Sequence, residues 1–131
     1  SHQSSRSAPL DSIRNHRDLI AWQKAMDLAV EVYRLAEKLP MREAYGIYSQ
    51  TTRAAASVPA NIAEGHGRQG AKEFANFLSI SRGSLAEVDT VLELSRRLNY
   101  LAEADLERAN GLADEVGGLT TALRQSLLRR P

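Results

Sequence analysis

The feature that most constrains this chain is the spacing of its apolar residues, which recur at alternating steps of four and three along four successive segments. In the first segment the repeat comprises Ala21, Ala25, Leu28, Val32, Leu35 and Leu39. Side chains with this spacing share one face of an α-helix, whereas a half-buried strand alternates with a period of two. Because no segment alternates over the length of a strand, the sequence predicts an all-α protein.

Interruptions of the repeats set the predicted helix boundaries. The first helix should begin at Asp18, whose carboxylate can accept from free N–H groups. It should stop at Leu39, because the residue before a proline is pushed out of helical geometry. The remaining three helices are predicted at about residues 43–64, 71–98 and 102–128. Helices joined by such short connections pack beside each other in opposite directions, which predicts an antiparallel up-down-up-down four-helix bundle.

The chain divides into a tail and one domain. Residues 1–16 are rich in serine, contain Pro9 and show no period, so we expect a flexible tail, part of which resembles an expression-tag remnant. Residues 17–131 should form the bundle domain, a length that suits a single core.

Pro59 lies inside the second repeat and leaves two alternatives open. The helix can kink, because proline has no N–H to donate to the Ala55 carbonyl. Alternatively, it can break at Val58 and restart with Pro59 as its first residue. The repeat continues through Ile62, which favours the kink.

Composition argues against several classes of function. The chain has no cysteine and only three histidines, none spaced for a helix-borne metal site, so we expect no metal, no cofactor and no enzyme activity. The lack of cysteine fits a cytoplasmic protein, and no apolar run is long enough to span a membrane. The glycine-rich run at 65–70 faintly suggests a phosphate cradle, but it follows a helix and reads more simply as a turn.

A set of polar residues interrupts the apolar faces of helices two and three. Glu87 falls on an apolar seam, where an unpaired charge would be costly, and Arg53 on the facing helix is its expected partner. Ser57, Asn61 and Glu64 share one face of helix two. We predict that these five residues form a buried polar network that fixes helix register. A catalytic or ligand-binding carboxylate pair, Glu64 with Glu87, is the alternative.

Basic residues follow the turn into helix three. The net charge of +1 supplies almost no general attraction for nucleic acid, so any contact should come from a local cluster. Arg68, Lys72 and Arg82 are the predicted contacts, repeated once per subunit in an oligomer. Aromatic residues make up only 5% of the chain, which favours contact with phosphates over stacking on bases. A merely solvated surface is the simpler interpretation.

Several stretches of the sequence resemble a known family, the bacterial four-helix bundle proteins encoded in intervening sequences of 23S ribosomal RNA genes. The stretches that carry the resemblance are Asp18-Leu19-Ile20-Ala21-Trp22-Gln23-Lys24-Ala25, Ser57-Val58-Pro59-Ala60-Asn61-Ile62-Ala63-Glu64-Gly65, Lys72-Glu73-Phe74 and Gly83-Ser84-Leu85-Ala86-Glu87. The resemblance implies a bundle assembled as a ring-like homopentamer. It also implies kinship with the accessory proteins of diversity-generating retroelements, which bind reverse transcriptase and nucleic acid.

Two functional hypotheses follow. The first is a non-catalytic oligomeric scaffold that binds RNA or a nucleic-acid-handling protein; the second is a protein-only structural or interaction assembly. Helix one favours self-association in both, because Trp22, Met26, Ala29, Tyr33 and Ala36 form a second apolar seam beside the first. Two seams offer more apolar surface than an isolated bundle hides.

Overall fold

The computed structural model describes residues 15–16 and 19–129, and all regular secondary structure within them is helical. The four long helices are α1 (Ile20–Ala36), α2 (Ile47–His66), α3 (Ala71–Arg97) and α4 (Glu107–Leu128). Two short 3-10 helices, Met41–Glu43 and Glu103–Leu106, precede α2 and α4. The all-α prediction is confirmed for this part of the chain. The predicted cap, Asp18, and most of the predicted tail lie outside the described residues.

Helix boundaries differ from the predicted ones where the connections carry structure of their own. α1 ends at Ala36, because Glu37 and Lys38 already form a turn before the proline. α2 and α4 begin later than predicted, since a 3-10 helix comes first in each case. Before α4, the Asp105 carboxylate accepts a hydrogen bond from the Ala102 N–H at 2.9 Å. This bond caps the start of the 3-10 helix, which occupies the first residues of the predicted fourth helix.

α2 runs without interruption through Pro59, so the alternative of a break and restart at Val58 is wrong. The kink stays a prediction. The next helix supports this region: the Ser81 hydroxyl, fully buried in α3, donates to the Val58 carbonyl at 2.8 Å. This bond satisfies a buried hydroxyl and ties α2 to α3 beside the proline.

The helices pack in a closed cycle, α1 on α2, α2 on α3, α3 on α4 and α4 on α1. The predicted seams face one shared core, whose largest fully buried side chains include Leu28, Leu35, Ile62, Leu78, Val88 and Val116. A helical bundle results, in which each helix buries one apolar stripe and leaves the opposite side exposed.

Candidate interaction surfaces

A cavity of about 530 Å³ opens between α2 and α3. Its lining consists of Tyr45, Gly46, Gln50, Arg53, Ala54, Ser57 and Glu87. We call this surface the α2–α3 groove. It holds three of the five residues of the predicted polar network, namely Arg53, Ser57 and Glu87.

The prediction that Arg53 and Glu87 are buried is wrong for the single chain, where both side chains are exposed. The Arg53 guanidinium donates to the Ser49 hydroxyl at 3.0 Å, and Gln50 Nε2 approaches Glu87 Oε2 at 3.5 Å. Within the described residues the two charges do not form an ion pair. They lie at the outer edge of the α2–α3 contact, where water hydrates them and no desolvation cost demands a partner.

The rest of the predicted network is local to α2. The Asn61 amide donates to the Ser57 carbonyl at 2.8 Å, and both residues are half-buried. Glu64 is exposed and pairs with Arg68. The prediction of one buried network is therefore wrong for the single chain, because helical spacing places these side chains on the outer side of α2 and not against the core.

The alternative of a catalytic carboxylate pair also disagrees with the geometry. Glu64 lines a separate cavity beside Arg68, whereas Glu87 lies opposite Gln50 in the α2–α3 groove. Residues 50 and 64 are about 20 Å apart along the α2 axis, at 1.5 Å per residue. Carboxylates that share acid–base work on one bond lie within roughly 10 Å of each other.

The three predicted nucleic-acid contacts are all exposed, but one chain does not gather them into one site. Arg68 bonds the Glu64 carboxylate at 2.8 Å and lies over the Phe77 ring at 4.9 Å, so its charge is already offset. Lys72 stands in the first turn of α3. Arg82 instead lines a groove between α3 and α4. Lys72 and Arg82 have no ion-pair partner among the described residues.

A second exposed surface follows α1 and consists of Met26, Val30 and Tyr33, which we call the α1 strip. These side chains are 39%, 67% and 44% exposed. Of the predicted second seam of α1, Met26 and Tyr33 are exposed, whereas Ala29 and Ala36 are buried within the bundle. Sequence reasoning missed Val30, although its place four residues after Met26 and three before Tyr33 puts it on the same side of the helix.

The side of α1 that faces α4 is stabilised by charge instead. Glu31 is buried, accepts a hydrogen bond from Arg34 Nε at 3.0 Å and lies 3.8 Å from Arg108 of α4. The hydrogen bond from Arg34, aided by the charge of Arg108, lowers the pKa of Glu31. On α3, hydrogen bonds from Arg96 and Arg97 lower the pKa of Glu93 to about 2.

Replacing Glu31 by glutamine should lower the free energy of unfolding by about 1 kcal/mol near pH 7, because it removes a charge-assisted bond. Since folding lowers the pKa of Glu31, its stabilisation is complete above the unfolded value of 4.5 and is lost as the pH falls through the folded pKa. Urea titrations of both proteins should show the difference shrinking on acidification. A difference that stays constant down to about pH 3 would contradict this role of Glu31.

Among residues 15–16 and 19–129, no three histidine or acidic side chains are grouped so that they could hold a metal ion. None of the described helices is long and apolar enough to cross a membrane.

Fold and surfaces together define a class: an all-helical bundle protein with an exposed apolar strip on α1 and grooves between its helices. The profile of the 23S rRNA-intervening sequence protein family matches residues 17–122. The chain belongs to that family. A similar solved structure is the crystal structure of a protein of unknown function from the S23 ribosomal protein family of Bacteroides thetaiotaomicron VPI-5482. It is 25% identical, covers 81% of this chain and 99% of its own, and superposes with a TM-score of 0.74. No curated protein sequence matches.

Proposed function

We propose that this protein is a non-catalytic oligomeric scaffold, an up-down-up-down bundle that assembles with copies of itself into a ring-like homopentamer. The α1 strip is the observation that carries the proposal. Burying apolar surface is the main driving force of association, and a neighbouring subunit would remove this strip from water. Family membership supports the same assembly.

The bundle topology has its own support in cross-helix contacts. Ser81 bonds Val58, near the middle of α2, while Gln50, near the start of α2, approaches Glu87, later in α3. Earlier residues of one helix thus meet later residues of the other, as in an antiparallel pair. The short connection at 67–70 permits no other neighbour.

Thermal unfolding at different protein concentrations tests the assembly. Because association stabilises the folded state by mass action, the midpoint temperature of an oligomer rises with concentration. We expect a rise of several degrees between about 1 and 100 μM. A midpoint independent of concentration, together with elution as a single chain, would contradict the proposal.

Contact with RNA is the second part of the proposal, and it rests on Lys72 and Arg82, the predicted cations that have no acidic partner among the described residues. Repeated around a ring, these charges would track phosphates and ignore base sequence. This contact distinguishes an RNA-binding scaffold from a protein-only assembly.

A matched pair of variants tests that contact. Lys72→Gln with Arg82→Gln should weaken binding of a single-stranded RNA at least tenfold. The binding should also depend less steeply on salt, because the logarithm of the binding constant falls with the logarithm of the salt concentration by about 0.7 for each phosphate neutralised. Arg96→Gln with Arg97→Gln removes the same charge from side chains that are paired with Glu93 and should leave binding nearly unchanged. An assembled parent protein that binds no RNA would establish the protein-only alternative.

A further inference from the structure

The α1 strip and the α2–α3 groove are two of the surfaces that one chain leaves uncovered. They lie on different helices: the strip follows α1 alone, and the groove opens between α2 and α3. A two-fold contact pairs one patch with itself, whereas a head-to-tail contact joins two different patches and can close into a ring. Two unlike surfaces on the same chain suit the head-to-tail arrangement.

The groove holds two opposite charges, and two exposed apolar side chains outside its lining follow the same face of α3 as Glu87. Ile80 and Leu94 are 45% and 43% exposed and lie two turns to either side of Glu87, on the same face of α3. Tyr45 is fully exposed at the rim, and Arg53 supplies the positive charge. Tyrosine and arginine are the residues on which protein interfaces most often depend.

The strip offers the complementary chemistry. Val30 is its most exposed member, and Tyr33 presents a phenolic hydroxyl in addition to its apolar ring. Glu37 follows Tyr33 by one helical turn on the same side, is exposed, and has no ion-pair partner among the described residues. The strip thus offers apolar side chains with a hydrogen-bond donor and a negative charge at one end. The groove offers an acceptor and a positive charge, with exposed apolar side chains of α3 nearby.

We infer that the α1 strip of one copy docks in the α2–α3 groove of the next, with Glu37 facing Arg53 and the Tyr33 hydroxyl donating to Glu87. The inference rests on the proposed self-assembly and adds which surfaces meet. Each copy then contributes one strip and one groove. The contact removes Arg53 and Glu87 from water and at the same time gives each a partner of opposite charge or a hydrogen-bond donor from the neighbouring copy.

Charge reversal tests the pairing of Glu37 with Arg53. Arg53→Glu and Glu37→Arg should each dissociate the assembly in light scattering, while the double variant, with the charges exchanged, should restore it. Arg129→Glu reverses an exposed charge immediately after α4 as the control and should stay assembled. Circular dichroism checks that each variant keeps its helices. A double variant no better assembled than either single one would overturn the pairing.

Mixing two variants tests the head-to-tail geometry. Val30→Asp damages only the strip and Arg53→Glu only the groove, so each should be monomeric alone. In an equimolar mixture one intact strip still meets one intact groove, and native mass spectrometry should show dimers containing one copy of each variant. A mixture that stays monomeric overturns the inference, as do single variants that remain assembled. A parent that is itself monomeric overturns the proposed self-assembly instead.

Discussion

Replacing Gly65 by alanine is expected to lower the free energy of unfolding by about 3 kcal/mol, the upper part of the range for overpacking a tight contact. A Cβ built at Gly65 would lie 2.6 Å from the Phe77 Cβ and 2.9 Å from Phe74 Cδ1. Phe77 Cβ is attached directly to the α3 backbone, so α2 and α3 would have to separate locally. Urea unfolding monitored by circular dichroism measures the change.

Gly111→Ala is the matched control. Gly111 also lies inside a helix, but an added Cβ there meets no atom within 4 Å. Alanine is the better helix former, so this variant should be more stable by roughly 0.5–1 kcal/mol. If Gly→Ala lowers the free energy of unfolding at position 65 and raises it at position 111, the close contact between α2 and α3 is the reason for glycine at position 65. Equal effects at both positions would contradict it.

The second large effect is expected at the centre of the core. Leu28 is fully buried in α1, and Leu28→Ala should lower the free energy of unfolding by about 2–5 kcal/mol through lost burial and the cavity left behind. Leu128→Ala, the same change at a side chain that is 48% exposed, should cost less than about 1 kcal/mol. Comparable losses in the two variants would show that the first apolar seam does not form the core.

The helices and the core could be predicted from the sequence because both depend on local spacing. Leu28 and Val32 belong to a four-three repeat that fixes which side of α1 is buried, whatever the other helices do. The same reasoning could not place the start of α4. There the Asp105 side chain bonds the Ala102 N–H and caps a 3-10 helix, a local geometry that an apolar repeat does not indicate.

The candidate surfaces could be predicted only in part. Arg53 and Glu87 both line the α2–α3 groove, which is the side-by-side placement expected of facing helices joined by a short turn. Whether these two side chains are buried depends on how far from the α2–α3 contact each one lies. The periodicity of a single helix gives no information about that distance. Tyr45 was missed for a different reason: it lies in a connection, where no repeat indicates exposure. One chain does not bring Arg68 and Arg82 together, because Arg82 lines the groove between α3 and α4.

The core of the bundle is complete within one chain, and we propose that other copies of the chain cover part of its surface. The α1 strip and the α2–α3 groove have the composition of interface surfaces, and the pairing proposed for them accounts for the charged residues that the single chain leaves exposed. The proposed RNA contact uses Lys72 and Arg82, which take no part in the proposed pairing of the strip with the groove.

The mass of the native protein tests the central claim most directly. Native mass spectrometry of the untreated protein at micromolar concentration should show a closed assembly at five times the 14.4 kDa chain, with no ladder of larger species. Such a result is what a head-to-tail ring predicts. A single species at the mass of one chain would contradict self-assembly, and a stable dimer would contradict the ring.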